Sequence, residues 1–290
     1  MPDKYSAVWA SHSSISDFNN CPRSYYLKNL YKDPKLGGKI KLISPALTLG
    51  SVVHSVIESL SSLPVEERFT TSLIRKFDEE WQQHTGKKGG FLREETEDAF
   101  RERGQNMIRN IIENPGPLQN LAIKINMDLP YYWLSEEDNI ILCGKIDWLE
   151  YIEESDSVNI IDFKTSRSKE DPDSLQLPIY HLLVKNCQNR KVSSASYWYL
   201  ELDKEPEKVE LPGLEESEEK VLKAAKKMKI ARQLESLDCP NGEDGCMYCK
   251  PYEAILRGEG ELVGKDEYGA NVYLLIREDD QVEDREGTLL

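Results

Sequence analysis

Residues 144–166 read GKIDWLEYIEESDSVNIIDFKTS, and this stretch decides how the rest of the chain is interpreted. Two runs of apolar and β-branched residues, 140–151 and 158–164, flank a polar cluster at 153–157, a pattern that predicts two adjacent strands joined by a turn. Each predicted strand carries one acid where a core residue is expected, Asp147 in the first and Asp162 in the second. Since Asp162 and Lys164 are two residues apart, their side chains leave the same face of the strand.

Two carboxylates on neighbouring strands repel each other by roughly 4 kcal/mol at ~4 Å and an effective dielectric constant near 20. A cation must offset this repulsion, or one acid must hold a proton. Lys164 supplies one positive charge and a divalent metal ion would supply two. Two acids followed by a lysine form the arrangement needed for metal-assisted hydrolysis of a phosphodiester. The alternative is two half-buried acids with a surface Asp162–Lys164 pair worth about 0–1 kcal/mol.

Asp147 followed by Asp162-Phe163-Lys164 resembles the PD-(D/E)xK nuclease motif in the form D…DFK. The surrounding features are similar to the RecB-like branch, which includes the nuclease domains of recombination helicases and the CRISPR-associated exonucleases. The resemblance implies an α/β fold with a restriction-endonuclease-like core, in which helices flank a mixed central sheet. An inserted helical lobe and a cysteine-cluster cap that joins the N- and C-terminal flanks would complete this fold.

Residues 49–60 show apolar residues at helical spacing, and His54 lies off the centre of that apolar stripe. Glu58, one turn later, is predicted near the opposite side of the helix. Taken alone, His54 is best explained as a solvated histidine. The segment from Gly50 to His54 fits the G-x-x-x-H pattern of the RecB-like branch, which implies that His54 is a metal ligand. Leu49 stands where many members have arginine.

Gln176 and Tyr180 are four residues apart in a predicted helix, 175–184, and share one of its faces. They resemble the Q-x-x-x-Y element of the RecB-like branch, which implies a DNA contact beside the metal centre. Without that context a buried amphipathic helix with polar edges is the better interpretation. Pro178 conflicts with the prediction, because a proline beyond the first helical positions removes a backbone hydrogen bond.

Three cysteines, Cys239, Cys246 and Cys249, follow the pattern C-x6-C-x2-C, and Cys21 precedes a proline near the N-terminus. Four thiolates suit either structural zinc or an iron–sulfur cluster. A lone N-terminal cysteine with a C-terminal triplet resembles the [4Fe-4S] site of RecB-like nucleases, and Zn²⁺ remains the alternative. Closing the 218-residue loop between positions 21 and 239 (239 − 21) costs ~5 kcal/mol of chain entropy, so a structural role is expected.

The amino-acid composition bears on the binding partner and on the cellular compartment. The 290 residues include 37 basic and 52 acidic side chains, an unusual balance for a nucleic-acid-binding protein. Residues 259–290 alone hold 10 acids and 3 bases, whereas basic residues concentrate at 28–41 and 220–232. Local charge, and not the total, decides where a phosphate backbone is attracted. No apolar run reaches the ~20 residues of a membrane span and no signal peptide is visible, so a cytoplasmic protein without disulfides is expected.

Five segments are predicted along the chain. They are an N-terminal cluster-cap segment (1–45), a helical lobe with the histidine motif (46–120), a nuclease core sheet (121–205), a C-terminal helix with the cysteine cluster (206–258) and an acidic tail (259–290). Within them, 121–134 is predicted as the first strand of the core, 194–200 as its last strand and 206–213 as a loop. A strand is predicted at 268–276, and 277–290 is expected to be disordered.

The resemblance implies a metal-dependent DNA nuclease, with an exonuclease on single-stranded ends favoured, acting in repair, recombination or CRISPR adaptation. Mg²⁺ or Mn²⁺ would be held by His54, Asp147, Asp162 and the Phe163 carbonyl, with Lys164 beside the attacking water. Gln176 and Tyr180 would position the scissile strand. No phosphate-binding loop is present in the sequence, so any unwinding motor must be another chain. The expected protein partner is a separate helicase or an integrase-type protein. The alternative is a non-catalytic DNA-binding or assembly subunit that keeps the fold and the cluster.

Overall fold

Residues 3–276 are described by a computed structural model, in which helices cover a mixed central sheet. The strands are β1 Val8–Ala10, β2 Ile40–Leu42, β3 Tyr131–Ser135, β4 Ile140–Cys143, β5 Trp148–Ile152, β6 Ser157–Lys164, β7 Lys191–Tyr199, β8 Glu207–Val209, β9 Gly260–Lys265 and β10 Asn271–Leu275. The α-helices are α1 His12–Asn20, α2 Pro22–Tyr25, α3 Pro45–Leu60, α4 Leu73–Trp81, α5 Glu94–Glu113, α6 Gln176–Cys187, α7 Leu214–Gln233 and α8 Lys250–Leu256.

The central sheet has the strand order β5-β6-β7-β8. β6 pairs with β5 in antiparallel fashion and with β7 in parallel fashion, and β7 pairs with β8 in antiparallel fashion. All residues of β6 except Lys164 are buried, as expected for a strand that is covered on both faces. Consecutive residues of β6 enter opposite cores: Ile160 packs with residues of α6 and α7, whereas Ile161 and Phe163 pack with residues of α3, α4 and α5. The restriction-endonuclease-like arrangement expected from the sequence is therefore confirmed.

Two smaller sheets complete the fold. β1, β4 and β3 form one of them, in which β1 runs parallel to β4. β2, β10 and β9 form the other, in which β2 runs parallel to β10 and so joins the N-terminal flank of the chain to its C-terminal flank. The hairpin of β9 and β10 contains the strand predicted near 268–276. The predicted disordered part of the tail, 277–290, lies outside the described residues.

The helical lobe packs around large aromatic side chains. Phe77 and Trp81 of α4 are almost fully buried, and Phe91 stacks against Trp81 with ring centroids 5.5 Å apart. Gly104 of α5 lets this helix approach closely, because a Cβ atom there would lie 2.3 Å from the Phe77 ring. The lobe covers the face of the central sheet that carries Phe163 and Trp198.

The prediction of a single strand over 140–151 is wrong. Residues 140–143 form β4, which pairs with β1 and β3 and belongs to a different sheet from β5. Residues 144–147 between β4 and β5 are irregular. The chain turns at Gly144, whose N–H donates to the Pro130 carbonyl and whose missing side chain leaves room for Leu183. Asp147 therefore lies immediately before β5 and not within a strand.

Two other predicted boundaries also differ from the structure. The strand expected at 121–134 is regular only at β3, and upstream of it Ala122 forms an isolated bridge with Glu150. The expected loop at 206–213 contains β8, a short edge strand paired with β7. Within residues 3–276, no helix is both long enough and apolar enough to cross a membrane.

Candidate active site

Asp147 is fixed at the junction of α3 and the end of β6. Its Oδ2 accepts a hydrogen bond from the Phe163 backbone N–H at 3.0 Å and lies 3.4 Å from His54 Nδ1. Only 10% of the Asp147 side chain is exposed. Burial acts to lower the pKa of His54, but the adjacent Asp147 carboxylate outweighs burial, so the pKa of His54 is raised. A carboxylate and an imidazole thus share one half-buried corner.

α3 carries His54 because its sequence buries the rest of the helix. Ser44 caps the helix by accepting a hydrogen bond from the Leu47 N–H, and Pro45 occupies its first turn. The apolar stripe that ends at Leu60 faces the sheet and leaves His54 at its edge. The predicted position of His54 off the centre of the stripe is consistent with this geometry.

Glu58 is a member of the site that sequence reasoning missed. His54, Glu58 and Asp147 each offer one ligand atom, and these atoms lie within 4.8 Å of one another. Lys145, two residues before Asp147, forms an ion pair with Glu58. The spacing of four residues between His54 and Glu58 was the available signal, because side chains four apart on a helix lie next to each other.

Asp162 is the most buried acid of the site, with 2% of its surface exposed. Its Oδ1 accepts a hydrogen bond from Gln176 Nε2 at 2.7 Å, and its Oδ2 lies 3.0 Å from Lys164 Nζ. The Oδ2 atom nevertheless accepts no well-aligned hydrogen bond from any side chain or backbone group of residues 3–276. Burial, followed by the negative charge of Asp147, raises the pKa of Asp162 to about 7. The repulsion between the two acids that the sequence predicted is therefore present.

Lys164 is held by two ion pairs and one hydrogen bond. Its ammonium lies 3.0 Å from Asp162 Oδ2 and 3.0 Å from Glu170 Oε2, and it donates a hydrogen bond to Gln176 Oε1. Burial acts to lower the pKa of Lys164, but the two carboxylates outweigh it and raise the pKa above its usual range. Lys164 is therefore protonated and fixed in direction.

Glu170 is the second site residue that sequence reasoning missed. It follows β6, and its backbone N–H donates to the Tyr199 hydroxyl at 2.8 Å, which fixes the loop beside Lys164. His12, at the start of α1, lies close enough for the Glu170 charge to act on its pKa, although burial dominates and lowers that pKa. Glu170 lies six residues after the lysine, outside the D…DFK and Q-x-x-x-Y patterns.

Gln176 and Tyr180 share one face of α6, as predicted. Gln176 Nε2 lies 3.3 Å from the Tyr180 hydroxyl, so the glutamine links Lys164, Asp162 and Tyr180. The conflict expected at Pro178 is absent, because α6 begins at Gln176 and Pro178 is its third residue. Backbone N–H groups in the first turn of a helix have no partner within the helix, so proline costs little there.

The residues at this corner fit a hard divalent cation. Carboxylate oxygens and one imidazole nitrogen are donors that Mg²⁺ and Mn²⁺ accept. The buried Asp162 oxygen without an aligned donor and the raised pKa of its carboxyl group both indicate negative charge that the protein itself does not fully compensate. The predicted contribution of the Phe163 carbonyl stays a prediction, since the contact seen at Phe163 is through its N–H.

The four predicted cysteines converge on one cluster. Cys21, Cys239, Cys246 and Cys249 offer sulfur atoms within 4.8 Å of one another, whereas Cys143 in β4 and Cys187 at the end of α6 lie outside this group. The Cys246 N–H donates to Cys249 Sγ at 3.2 Å. Burial opposes ionisation of Cys246, but backbone N–H groups around it prevail and lower its pKa to about 7.

The sulfur spacing has the scale of a single ion. Cys246 Sγ and Cys249 Sγ are 3.8 Å apart, which matches the edge of about 3.8 Å in a tetrahedron with Zn–S bonds of about 2.3 Å. A four-iron cluster needs sulfurs that lie farther apart. The segment 239–246 contains Gly242 and Gly245 at positive φ, and Cys239 and Cys246 within it are only partly buried.

A buried acid, a second acid beside a mixed sheet and a lysine two residues after the first form the arrangement that the sequence predicted for a nuclease of the restriction-endonuclease type. The chain matches the family model of the PD-(D/E)XK nuclease superfamily over residues 10–255, and it belongs to this superfamily. Members of this superfamily hydrolyse phosphodiester bonds of nucleic acids with the help of divalent metal ions. A search of curated proteins gave no match.

Proposed function

We propose that this protein is a metal-dependent DNA nuclease of the RecB-like branch that acts as an exonuclease on single-stranded ends. The observation that supports this proposal most strongly is that two sets of contacts meet at the end of β6. Asp147 contacts His54 and the Phe163 N–H, and the neighbouring Asp162 contacts Lys164. These residues come from α3, from the segment before β5 and from β6, so their proximity is a property of the fold and not of local sequence.

The catalytic roles follow from the contacts. His54, Asp147, Asp162 and the Phe163 carbonyl would hold Mg²⁺ or Mn²⁺, which when bound supplies a Lewis acid and a more acidic water molecule. The Lys164 ammonium orients the attacking water and offsets the negative charge that grows on the phosphate. Gln176 keeps both Lys164 and Asp162 in place. Tyr180, buried beside Gln176, positions the scissile strand through its hydroxyl.

The central experiment measures Mn²⁺-dependent release of labelled nucleotides from single-stranded DNA. Asp162→Asn and Lys164→Ala should each lower the rate at least a hundredfold, because each removes charge that acts on the reacting phosphate. Asp156→Asn provides the matched control, since Asp156 lies in the turn between β5 and β6 and its side chain is 72% exposed. Rates that do not change in the Asp162 and Lys164 variants would indicate a contaminating nuclease and leave a DNA-binding subunit as the function.

The exonuclease assignment is tested separately with circular and linear single strands. An exonuclease degrades only the linear substrate, and comparison of 5′- and 3′-labelled strands gives the polarity. Cleavage of circles at the same rate would replace the exonuclease with an endonuclease. A role in repair, recombination or CRISPR adaptation would require a separate helicase or an integrase-type partner.

We further propose that the four cysteines hold a [4Fe-4S] cluster that fastens α2 to the segment before α8. The resemblance to RecB-like nucleases supports iron, and four thiolates suit either metal. The 3.8 Å spacing of Cys246 and Cys249 favours the alternative, a single Zn²⁺. Iron and sulfide analysis of protein prepared without oxygen distinguishes the two.

A further inference from the structure

A cleft of about 910 Å³ opens beside Asp147. One wall is the irregular segment 122–130 before β3, and another is the segment 145–149 that carries Asp147 into β5. Glu58 lines the end nearest the candidate metal ligands, and Tyr268 lines the cleft from the β9–β10 hairpin. Since Asp147 belongs both to the cleft and to the active site, a strand whose phosphate reaches the active site can extend into the cleft.

Tyr268 comes from a part of the chain that the family match does not include. The match ends at residue 255, and Tyr268 lies at the tip of the hairpin that follows. The Tyr268 side chain is 87% exposed, so the fold gains little from packing it. An aromatic side chain exposed at the border of a cleft is available to a ligand.

The backbone beneath Tyr268 is held firmly. Asp266 Oδ1 accepts hydrogen bonds from the N–H groups of Tyr268 at 3.0 Å and Ala270 at 2.9 Å. Lys41 of β2 forms an ion pair with Asp266 at 3.4 Å. Gly38 packs against the same turn so closely that a Cβ atom there would lie 2.6 Å from the Gly269 carbonyl oxygen. A ring presented on an ordered turn loses little conformational entropy when it binds.

Lys145 lies between Tyr268 and the active site. It lines the cleft and pairs with Glu58. Glu267 raises the pKa of the Tyr268 hydroxyl, and the charge of Lys145 is near enough to act in the opposite direction. The cleft therefore carries an active-site acid, an ammonium group and an exposed aromatic ring.

We propose that this cleft binds the single-stranded nucleic acid next to the scissile phosphate, with one base stacked on Tyr268 and one backbone phosphate on Lys145. This inference rests on the proposed nuclease function and adds the residues that bind the strand beside the active site. Stacking on aromatic side chains together with phosphate contacts to lysine is the general mode of single-strand binding. An exposed ring favours an unpaired base, because the faces of bases within a duplex are covered by their neighbours.

The test measures binding without cleavage. Full-length Asp162→Asn protein is titrated into a fluorescein-labelled 12-nucleotide oligothymidylate, and fluorescence anisotropy gives the Kd. Adding Tyr268→Ala should weaken binding between fivefold and a hundredfold, whereas Tyr268→Phe and Tyr268→Trp should keep it, since stacking needs the ring and not the hydroxyl. Tyr5→Ala is the matched control, because Tyr5 is 88% exposed and lies outside the cleft.

A second substrate separates stacking from a general structural effect. An oligonucleotide of abasic sites offers phosphates without bases, so Tyr268→Ala should leave its Kd unchanged. Lys145→Ala should weaken both oligonucleotides and reduce the slope of log Kd against log salt by about 0.7, the value for one contact to a single strand. Equal Kd values for Tyr268→Ala and its parent on oligothymidylate, or equal losses on both oligonucleotides, would overturn the proposal. Because binding is read directly, a protein without cleavage activity but with Tyr268-dependent binding would refute only the nuclease function.

Discussion

Lys164 Nζ lies 3.0 Å from a carboxylate oxygen on each of two sides, Asp162 and Glu170. Asp162 is a proposed metal ligand, so its charge is shared when a cation binds, and Glu170 then becomes the main anion that holds the ammonium. Glu170→Gln should therefore lower kcat about tenfold and leave KM unchanged, because an ammonium displaced by even 1 Å loses much of its effect on the reacting phosphate.

The measurement is steady-state cleavage of labelled single-stranded DNA, and Glu207→Gln is its control. Glu207 pairs with Lys169 in the same region, but both side chains are more than half exposed. Glu170→Asp should recover part of the rate, since it retains the charge. An unchanged kcat for Glu170→Gln would show that Asp162 and Gln176 alone orient Lys164.

Glu58 makes a prediction about metal affinity. With His54 and Asp147 it offers ligand atoms within 4.8 Å of one another, and fewer anionic ligands mean weaker binding of a divalent cation. Glu58→Gln should raise the Kd for Mn²⁺ by about tenfold. Titration followed by electron paramagnetic resonance measures free Mn²⁺ directly, without DNA. Glu66→Gln, an exposed acid just after α3, should leave the Kd unchanged; an equal Kd in the Glu58 variant would remove Glu58 from the site.

Only the site residues that belong to a local sequence pattern could be predicted from the sequence. Asp162 with Lys164, and Gln176 with Tyr180, are two and four residues apart, so strand and helix periodicity bring each pair to one face. Glu170 approaches Lys164 because its loop is held by Tyr199, a contact across 29 residues. Glu58 was missed as a ligand because its place was judged from the helix alone, without the position of Asp147.

At the scale of elements, Arg68 connects the end of α3 to the entry of the central sheet. Its guanidinium donates to the carbonyls of Leu60, Leu118 and Asn120, and it stacks 5.0 Å from the Trp148 ring. Arg68 is 3% exposed, and burial lowers its pKa. The segment after α3, the turn at 116–120 and the start of β5 are thus held by one side chain.

Arg68→Met should destabilise the protein by about 2–3 kcal/mol, because buried carbonyls lose their donors. Removal of a buried charge recovers part of this free energy, but the lost hydrogen bonds outweigh that gain. The expected change in Tm is a decrease of about 3–5 °C, measured by circular dichroism. Arg75→Met is the control, since Arg75 is exposed and pairs only with Glu79 in the same helix. A Tm equal to that of the unmodified protein would show that packing of Trp148 suffices.

The errors at the level of elements have one physical origin. Apolar alternation at 140–151 indicates extended chain, but it does not show which strand pairs with which. β4 pairs with β1, more than 130 residues earlier, and β5 pairs with β6. The change of partner occurs at 144–147, the segment that presents Asp147. Only tertiary contacts distinguish one long strand from two strands in different sheets.

At the scale of the whole molecule, several kinds of contact join the two flanks of the chain. β2 pairs with β10, Arg23 forms an ion pair with Glu253, and Cys21 meets the cysteines around α8. The chain entropy of loop closure depends only weakly on loop length, so the first link formed carries most of the cost of ~5 kcal/mol. A metal held by the cysteines can therefore stabilise the closed arrangement strongly, because its ligands come from both flanks.

Cys21→Ser should therefore abolish the bound metal and lower the Tm by more than Arg68→Met does. Cys21 is fully buried, so a metal-free variant leaves the remaining sulfurs around a polar hydroxyl inside the cluster. Cys187→Ser, a half-buried cysteine outside the group, should retain both metal and Tm. The unmodified protein prepared without oxygen should be brown and contain iron and sulfide, whereas the Cys21→Ser protein should contain neither. One zinc per chain would replace the iron–sulfur assignment but keep the same dependence on Cys21. Full metal content in Cys21→Ser would instead place the metal on the C-terminal cysteines alone. The pairing of β2 with β10 and the ion pair of Arg23 would then have to hold the two flanks together.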